Sequence, residues 1–167
     1  MMVHLANQTS TSTLSEFEPG QVQPNAIDLK LDKVFRIEPK PFRISEDEKV
    51  HRGSVAIEPD EDGFFQLMNG VYEIIMDGVI SIGPDEAGWV ITRSTLNRNG
   101  LFITSGLYDS GYEGVMAGAL HVNCGPAKIK KGTRVGQFLL FKSEALSSYS
   151  GDYGVSGTHD NKYGTLN

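Results

Sequence analysis

The stretch Gly70-Val71-Tyr72-Glu73-Ile74-Ile75-Met76-Asp77-Gly78-Val79-Ile80-Ser81-Ile82-Gly83-Pro84-Asp85-Glu86-Ala87-Gly88 decides the fold class. Gly70–Met76 is rich in β-branched and aromatic residues and reads as a strand. Val79–Ile82 reads as a second strand, and Pro84–Gly88 as the turn that follows it. Outward from there the pattern repeats. Trp89–Thr92, Leu101–Ile103, Val115–Val122 and Val135–Phe141 are further apolar strands, with Lys130-Lys131-Gly132 as the turn before the last. Towards the N-terminus, Ala26–Leu31 and Val34–Ile37 alternate apolar and polar residues, the period of a half-buried strand. Residues 38–62 are charged and contain Pro39, Pro41 and Pro59; they read as a long hairpin or loop with one strand near Ser54–Ile57. Short helices are expected at Leu14–Glu18, Thr95–Arg98 and Ser143–Leu146. Short strands with turn signals every 8–12 residues predict an all-β sandwich, jelly roll or distorted β-barrel. There is no βαβ alternation, no fixed-period repeat and no heptad.

Composition narrows the function. A chain of 167 residues suits one domain with a core large enough to stand without staples. Its formal net charge of −6 speaks against non-specific nucleic-acid binding, which needs clustered Lys and Arg. Cys124 is the only cysteine, so an internal disulfide or Cys-based zinc site is excluded, which fits a reducing compartment. His4, His51, His121 and His159 show no metal-ligand spacing. No apolar run is long enough for a transmembrane helix, and Met1–Ser15 lacks the parts of a secretory signal. The expected location is cytoplasmic, the host cytoplasm for a viral source. The chain divides into a Ser/Thr-rich N-terminal extension (1–20), a β domain (21–146) and a flexible segment (147–167) rich in Gly and Tyr. That last segment reads either as a disordered tail or as a lid over a ligand, and the lid is the expectation.

Three polar clusters interrupt the apolar strands. In Gln23-Pro24-Asn25-Ala26-Ile27-Asp28-Leu29, Asp28 stands where a strand begins and would be costly if buried unpaired. Arg93-Ser94-Thr95-Leu96-Asn97-Arg98-Asn99-Gly100 brings two guanidinium forks and two hydroxyls to a helix start, a cradle suited to phosphate. Tyr108-Asp109-Ser110-Gly111-Tyr112-Glu113-Gly114 is a tight turn where Asp109 has the chemistry of a general base for water and Tyr112 that of a stacking platform. Taken singly, each has a plainer reading: a turn cap, surface ion pairs, ordinary turn chemistry.

In order, however, these clusters resemble the dUTPase and dCTP deaminase superfamily. Gln23–Leu29 matches its Q-P-x-x-x-D-L motif. Arg93–Leu101 is similar to R-S-S-L-x-R-x-G-L, and Asp109–Gly114 to D-x-G-[YFW]-x-G. Gly132-Thr133-Arg134-Val135-Gly136-Gln137-Phe138 resembles G-x-R-[IV]-[AG]-Q-[LF]. The nearest flavour is that of archaeal and viral deaminase-like dUTPases. The resemblance implies a jelly-roll homotrimer with active sites between subunits, a pyrimidine deoxynucleoside triphosphate as substrate, and Mg²⁺ held mainly by its phosphates and waters.

It also implies roles. Asp109 would activate water and Arg98 would act near the base and phosphates. Arg93, Ser94, Thr95 and Gln137 would contact phosphates, and Tyr112 would line the deoxyribose. Asp28 would support this machinery, while Tyr153, Lys162 and Tyr163 would belong to the closing segment. The proton-shuttling glutamate of deaminases would fall at Ala119, where no proton can be exchanged. The expected reaction is therefore hydrolysis of dUTP to dUMP and pyrophosphate. The rivals are dCTP deamination (alone or combined with dUTP hydrolysis), pyrophosphohydrolysis of another pyrimidine nucleotide, and a nucleotide-binding jelly-roll interaction protein without catalysis.

Overall fold

The computed structural model describes residues 1–155. Thirteen strands and one short helix follow in chain order: β1 (Met2–Val3), β2 (Thr13–Leu14), β3 (Ile27–Ile37), β4 (Arg43–Ile44), β5 (Lys49–Val50), β6 (Ser54–Ile57), β7 (Phe64–Leu67), β8 (Gly70–Ser81), β9 (Glu86–Thr92), α1 (Ser94–Arg98), β10 (Leu101–Thr104), β11 (Glu113–Val122), β12 (Ala127–Lys130) and β13 (Arg134–Lys142). The main sheet runs β1-β13-β3-β8-β11-β10, with β9 on β13, β6 on β3 and β2 on β8. β3 carries the curl. Its first half pairs with β13, the register slips at Asp32, and its second half pairs with β8 and β6. A bulge of this kind bends and twists a strand. The result is the expected all-β jelly roll, a distorted barrel closed over Ile27, Leu29, Leu31, Ile74, Met76 and Phe138.

β8 runs unbroken where two strands were expected. Val115 pairs with Val79 and Met116 with Met76, so Asp77 and Gly78 form a bulge instead of a turn. Gly78 sits at φ +92, and a Cβ there would lie 3.0 Å from Leu14 Cδ1. The turn expected at Pro84–Gly88 is shorter: Asp85 takes φ 55 and β9 begins at Glu86. Of the expected helices only the middle one forms. Thr13–Leu14 pairs with β8 instead of coiling, and the nearest helical turn is a 3-10 turn at Pro19–Gln21. Ser143 commits its N–H to the Asp85 carbonyl, and Leu146 is exposed, so Ser143–Leu146 has no apolar face to bury.

Residues 1–20 are not peripheral. β1 pairs with β13, and Leu5 and Leu14 enter the core. Each buried leucine contributes roughly 2 kcal/mol of burial free energy. Residues 38–62 form the expected hairpin, β4 on β5, followed by β6 at Ser54–Ile57.

Candidate active site

Asp28 is fully buried on β3, at the edge shared with β13. Its Oδ1 accepts a 3.0 Å hydrogen bond from Gln137 Nε2. Its Oδ2 faces Arg93 Nε at 3.2 Å and Arg134 Nη1 at 3.3 Å, without the linear approach of a hydrogen bond. Arg93 Nη1 also donates to the Arg134 carbonyl at 3.2 Å, and Gln21 Nε2 donates to the Asp28 carbonyl at 2.8 Å. One carboxylate thus gathers two guanidinium groups and an amide that come from two separate stretches of sequence, Arg93 before α1 and Arg134 with Gln137 on β13. The pairing lowers the cost of burying a charge and presets the forks. Ser94 and Thr95 follow Arg93 directly and are exposed at the start of α1; Arg98 is exposed at its end. Arg134 was passed over as a site residue, although it stands within the motif that supplied Gln137.

The second assembly is the turn Tyr108–Tyr112. Its backbone is clamped to the stretch before and within β9. Tyr108 and Gly88 exchange bonds of 2.8 and 3.0 Å. Gly111 N donates to the Ile82 carbonyl at 2.9 Å, and Ile82 N to the Tyr112 carbonyl at 2.8 Å. Ser110 Oγ donates to the Glu86 carbonyl at 2.6 Å. The tyrosines hold the hairpin from within: Tyr108 donates its hydroxyl to the Ala117 carbonyl and Tyr112 to that of Val115, at 3.0 and 2.8 Å. Between these fixed residues Asp109 is exposed.

Glu86 explains the clamp. Its carboxylate is 0 % exposed. Oε2 accepts from Ser12 Oγ at 2.6 Å, Ser12 N and Ser10 Oγ at 3.0 Å, and Thr11 N at 3.2 Å. Oε1 meets Lys142 Nζ at 2.8 Å. Burial pushes this carboxyl up, but the lysine and the three hydroxyl-bearing residues outweigh it and hold the pKa at about 2. Sequence reasoning missed Glu86 because Pro84 and Asp85 made it look like turn.

Beside the turn lies a cavity of about 750 Å³. Tyr108, Tyr112 and Tyr153 line it, with Ala117–Ala119 of β11 and Glu73 of β8 as its floor and Lys49, His51 and Arg52 of the hairpin along one side. Residues Tyr149–Val155 are docked onto the same chain. Tyr149 N donates to the Ser110 carbonyl at 2.7 Å, Val155 N to that of Glu113 at 2.8 Å, and Lys49 Nζ meets Asp152 at 2.8 Å. A Cβ on Gly114 would lie 2.6 Å from Gly154 Cα, so this approach requires glycine. Lys162 and Tyr163 lie outside the described residues, as does the rest of the segment beyond Val155.

The expected site residues therefore fall into two groups. Arg93 and Gln137 gather around Asp28. Tyr112 and Tyr153 gather at the cavity, with Asp109 on its adjoining turn. None of Asp28, Arg93, Ser94, Thr95, Arg98, Asp109 and Gln137 lines that cavity. Among the described residues no three His, Cys, Asp or Glu side chains cluster as a metal cage. No described helix is long and apolar enough to cross a membrane.

Comparison with known proteins places the chain. A family model described as dCTP deaminase-like matches residues 3–143. A probable deoxyuridine 5'-triphosphate nucleotidohydrolase of Methanopyrus kandleri is 34% identical over 141 residues, covering 83% of this chain and 91% of that protein. The protein of the same description from Halobacterium salinarum is 33% identical over 138 residues, covering 80% and 82%. The crystal structure of 2'-deoxycytidine 5'-triphosphate deaminase from Agrobacterium tumefaciens superposes with a TM-score of 0.61 at 18% identity; the match covers 81% of this chain but only 45% of that one. Matched along nearly the whole of its β domain, the chain belongs to the dCTP deaminase-like family.

Proposed function

We propose that the protein is a dUTP diphosphatase, releasing dUMP and pyrophosphate. The observation that carries this reading is Asp109, exposed on a clamped turn, beside a cavity of about 750 Å³ whose floor bears Ala119. An exposed carboxylate accepts a proton from water, whereas an alanine in the floor gives C4 deamination no proton carrier at that position. The relatives described as probable deoxyuridine 5'-triphosphate nucleotidohydrolases support the choice of uracil.

In this mechanism Asp109 orients a water and takes its proton as the oxygen attacks the α-phosphorus. The bond from the α-phosphorus to the bridging oxygen breaks, and pyrophosphate leaves. Tyr112 borders the sugar. Arg93, Ser94, Thr95 and Gln137 bind phosphate oxygens, with Arg93 and Gln137 preset by Asp28, and Arg98 adds charge near the reacting groups. Mg²⁺ supplies charge neutralisation on the phosphates. The phosphate oxygens of the substrate, with waters, would hold such an ion, which suits the way Mg²⁺ binds. On a chain of net charge −6 that neutralisation matters.

The Asp28 group does not line the cavity; a homotrimer in which the arginines of one copy reach the cavity of another would complete the site. The test is pyrophosphate release from each dNTP with Mg²⁺, by wild type and Asp109→Asn, with light scattering for oligomer mass. Turnover of dUTP lost in Asp109→Asn supports the reading. No turnover of dUTP, or turnover unchanged in the variant, overturns it; ammonia from dCTP would assign the deaminase instead.

A further inference from the structure

Glu73 and Ala119 are partners across the antiparallel pair β8–β11. Side chains at paired positions project to the same face of a sheet. Both line the cavity beside the catalytic turn, so the floor does hold a carboxylate, one strand away from the alanine. The opposite neighbour of Glu73 is Phe35 of β3, which packs with Ile75, Val115 and Ala117. Glu73 therefore sits between Phe35 and Ala119, with Lys33 diagonal to it on the same face. It also interacts within the chain.

We infer that Glu73 is a specificity-determining residue that reads the N3 position of the pyrimidine. The inference rests on the cavity being the dUTP site. Uracil presents one donor on its pairing edge, N3–H, flanked by two carbonyl oxygens. Gly106 and Leu107 are exposed at the cavity beyond the end of β10, where their backbone N–H groups would meet those oxygens. The donor between them needs an acceptor, and an ionised carboxylate is acceptor-only. Cytosine reverses the pattern. Its N3 is a lone pair, which would face the carboxylate, and its 4-amino group would face an N–H. A site built to pair one such pattern rejects the analogue because its own polar groups are left unmatched. Moving the carboxylate from β11 to β8 would thus exchange a deaminating group for a discriminating one.

The experiment compares kcat/KM for dUTP and dCTP, by pyrophosphate release, in wild type, Glu73→Gln and Glu73→Asp. Affinity for dUMP and dCMP is measured in parallel by calorimetry, and folding by melting temperature. Glutamine both donates and accepts, so Glu73→Gln should narrow the dUTP-to-dCTP ratio at least about tenfold. The change should lie in KM, with kcat for dUTP held within about twofold. Glu73→Asp, which keeps the charge, should narrow it less. The dUMP-to-dCMP affinity ratio should follow the same order. A ratio unchanged in every folded variant overturns the inference and leaves discrimination to the backbone. Glu73-dependent ammonia release from dCTP also overturns it, by making Glu73 a proton carrier. If wild type turns over no dUTP, the diphosphatase reading fails, and the dUMP and dCMP affinities still decide whether Glu73 reads the base.

Discussion

Ser110 Oγ donates a 2.6 Å hydrogen bond to the carbonyl of Glu86, tying the residue after Asp109 to the start of β9. Both groups are buried, so breaking the bond leaves a carbonyl without its partner. Ser110→Ala should cost about 1–3 kcal/mol of stability. In the proposed mechanism a turn freed at this point holds Asp109 less accurately, so kcat for dUTP should fall about tenfold with KM little changed. Steady-state kinetics beside urea denaturation check both.

The Glu86 carboxylate is the common partner of Ser10, Thr11, Ser12 and Lys142. Glu86→Ala removes the buried acceptor and orphans the buried Ser12 hydroxyl and N–H. The expected loss is about 1–3 kcal/mol, the range for leaving a buried polar group unsatisfied. Chemical denaturation of wild type and variant measures it.

Acid should act through the same group. Its folded pKa of about 2 lies below the ordinary value of 4.5. A depressed carboxyl contributes stability that is complete above the unfolded pKa and is lost as pH falls through the folded one. Glu86 should therefore account for about 3 kcal/mol, lost between about pH 5 and pH 2. Melting temperatures across that window should fall steeply in wild type and less steeply in Glu86→Gln.

Asp28→Asn keeps the shape but removes the charge between Arg93 and Arg134. Two guanidinium groups then face each other without a counter-ion, and Arg93 loses its preset orientation. KM for the triphosphate should rise about tenfold, with stability lowered by about 1–3 kcal/mol. Because the site is charged, the KM difference should shrink as ionic strength increases.

Deletion of residues 1–14 should be as damaging as the loss of a core strand. It removes Leu5 and Leu14 from the core and all three hydroxyl-bearing partners of Glu86. The expected cost exceeds about 4 kcal/mol from the two leucines alone. Circular dichroism melts of the truncated chain test this.

Much of this was legible in the sequence, and the misses have a common cause. Strand alternation announced β3, β11 and β13, and Asp28 declared itself as a charge at a strand start. Motif order then brought Arg93 and Gln137 to the same group. Glu86, by contrast, follows Pro84 and Asp85, and local punctuation marks it as turn. Its burial depends on hydroxyls more than 70 residues away, and no window of sequence contains both. The Ser/Thr content of residues 1–20, which reads as solvated surface, serves to satisfy that carboxylate. Glu73 was hidden for a different reason. As one charge in an apolar strand it has no signature; only the register of β8 against β11 sets it beside Ala119.

The Glu86 cluster also fixes when the enzyme can become competent. Its members lie near the beginning, middle and end of the chain, and Lys142 is the last to be made. During synthesis the N-terminal hydroxyls emerge first and find no carboxylate to bind. The carboxylate emerges next and lacks its lysine. The turn that carries Asp109 can be clamped in its final form only once residue 142 has left the ribosome, so this fold closes as a whole after β13 has emerged, not strand by strand from β1.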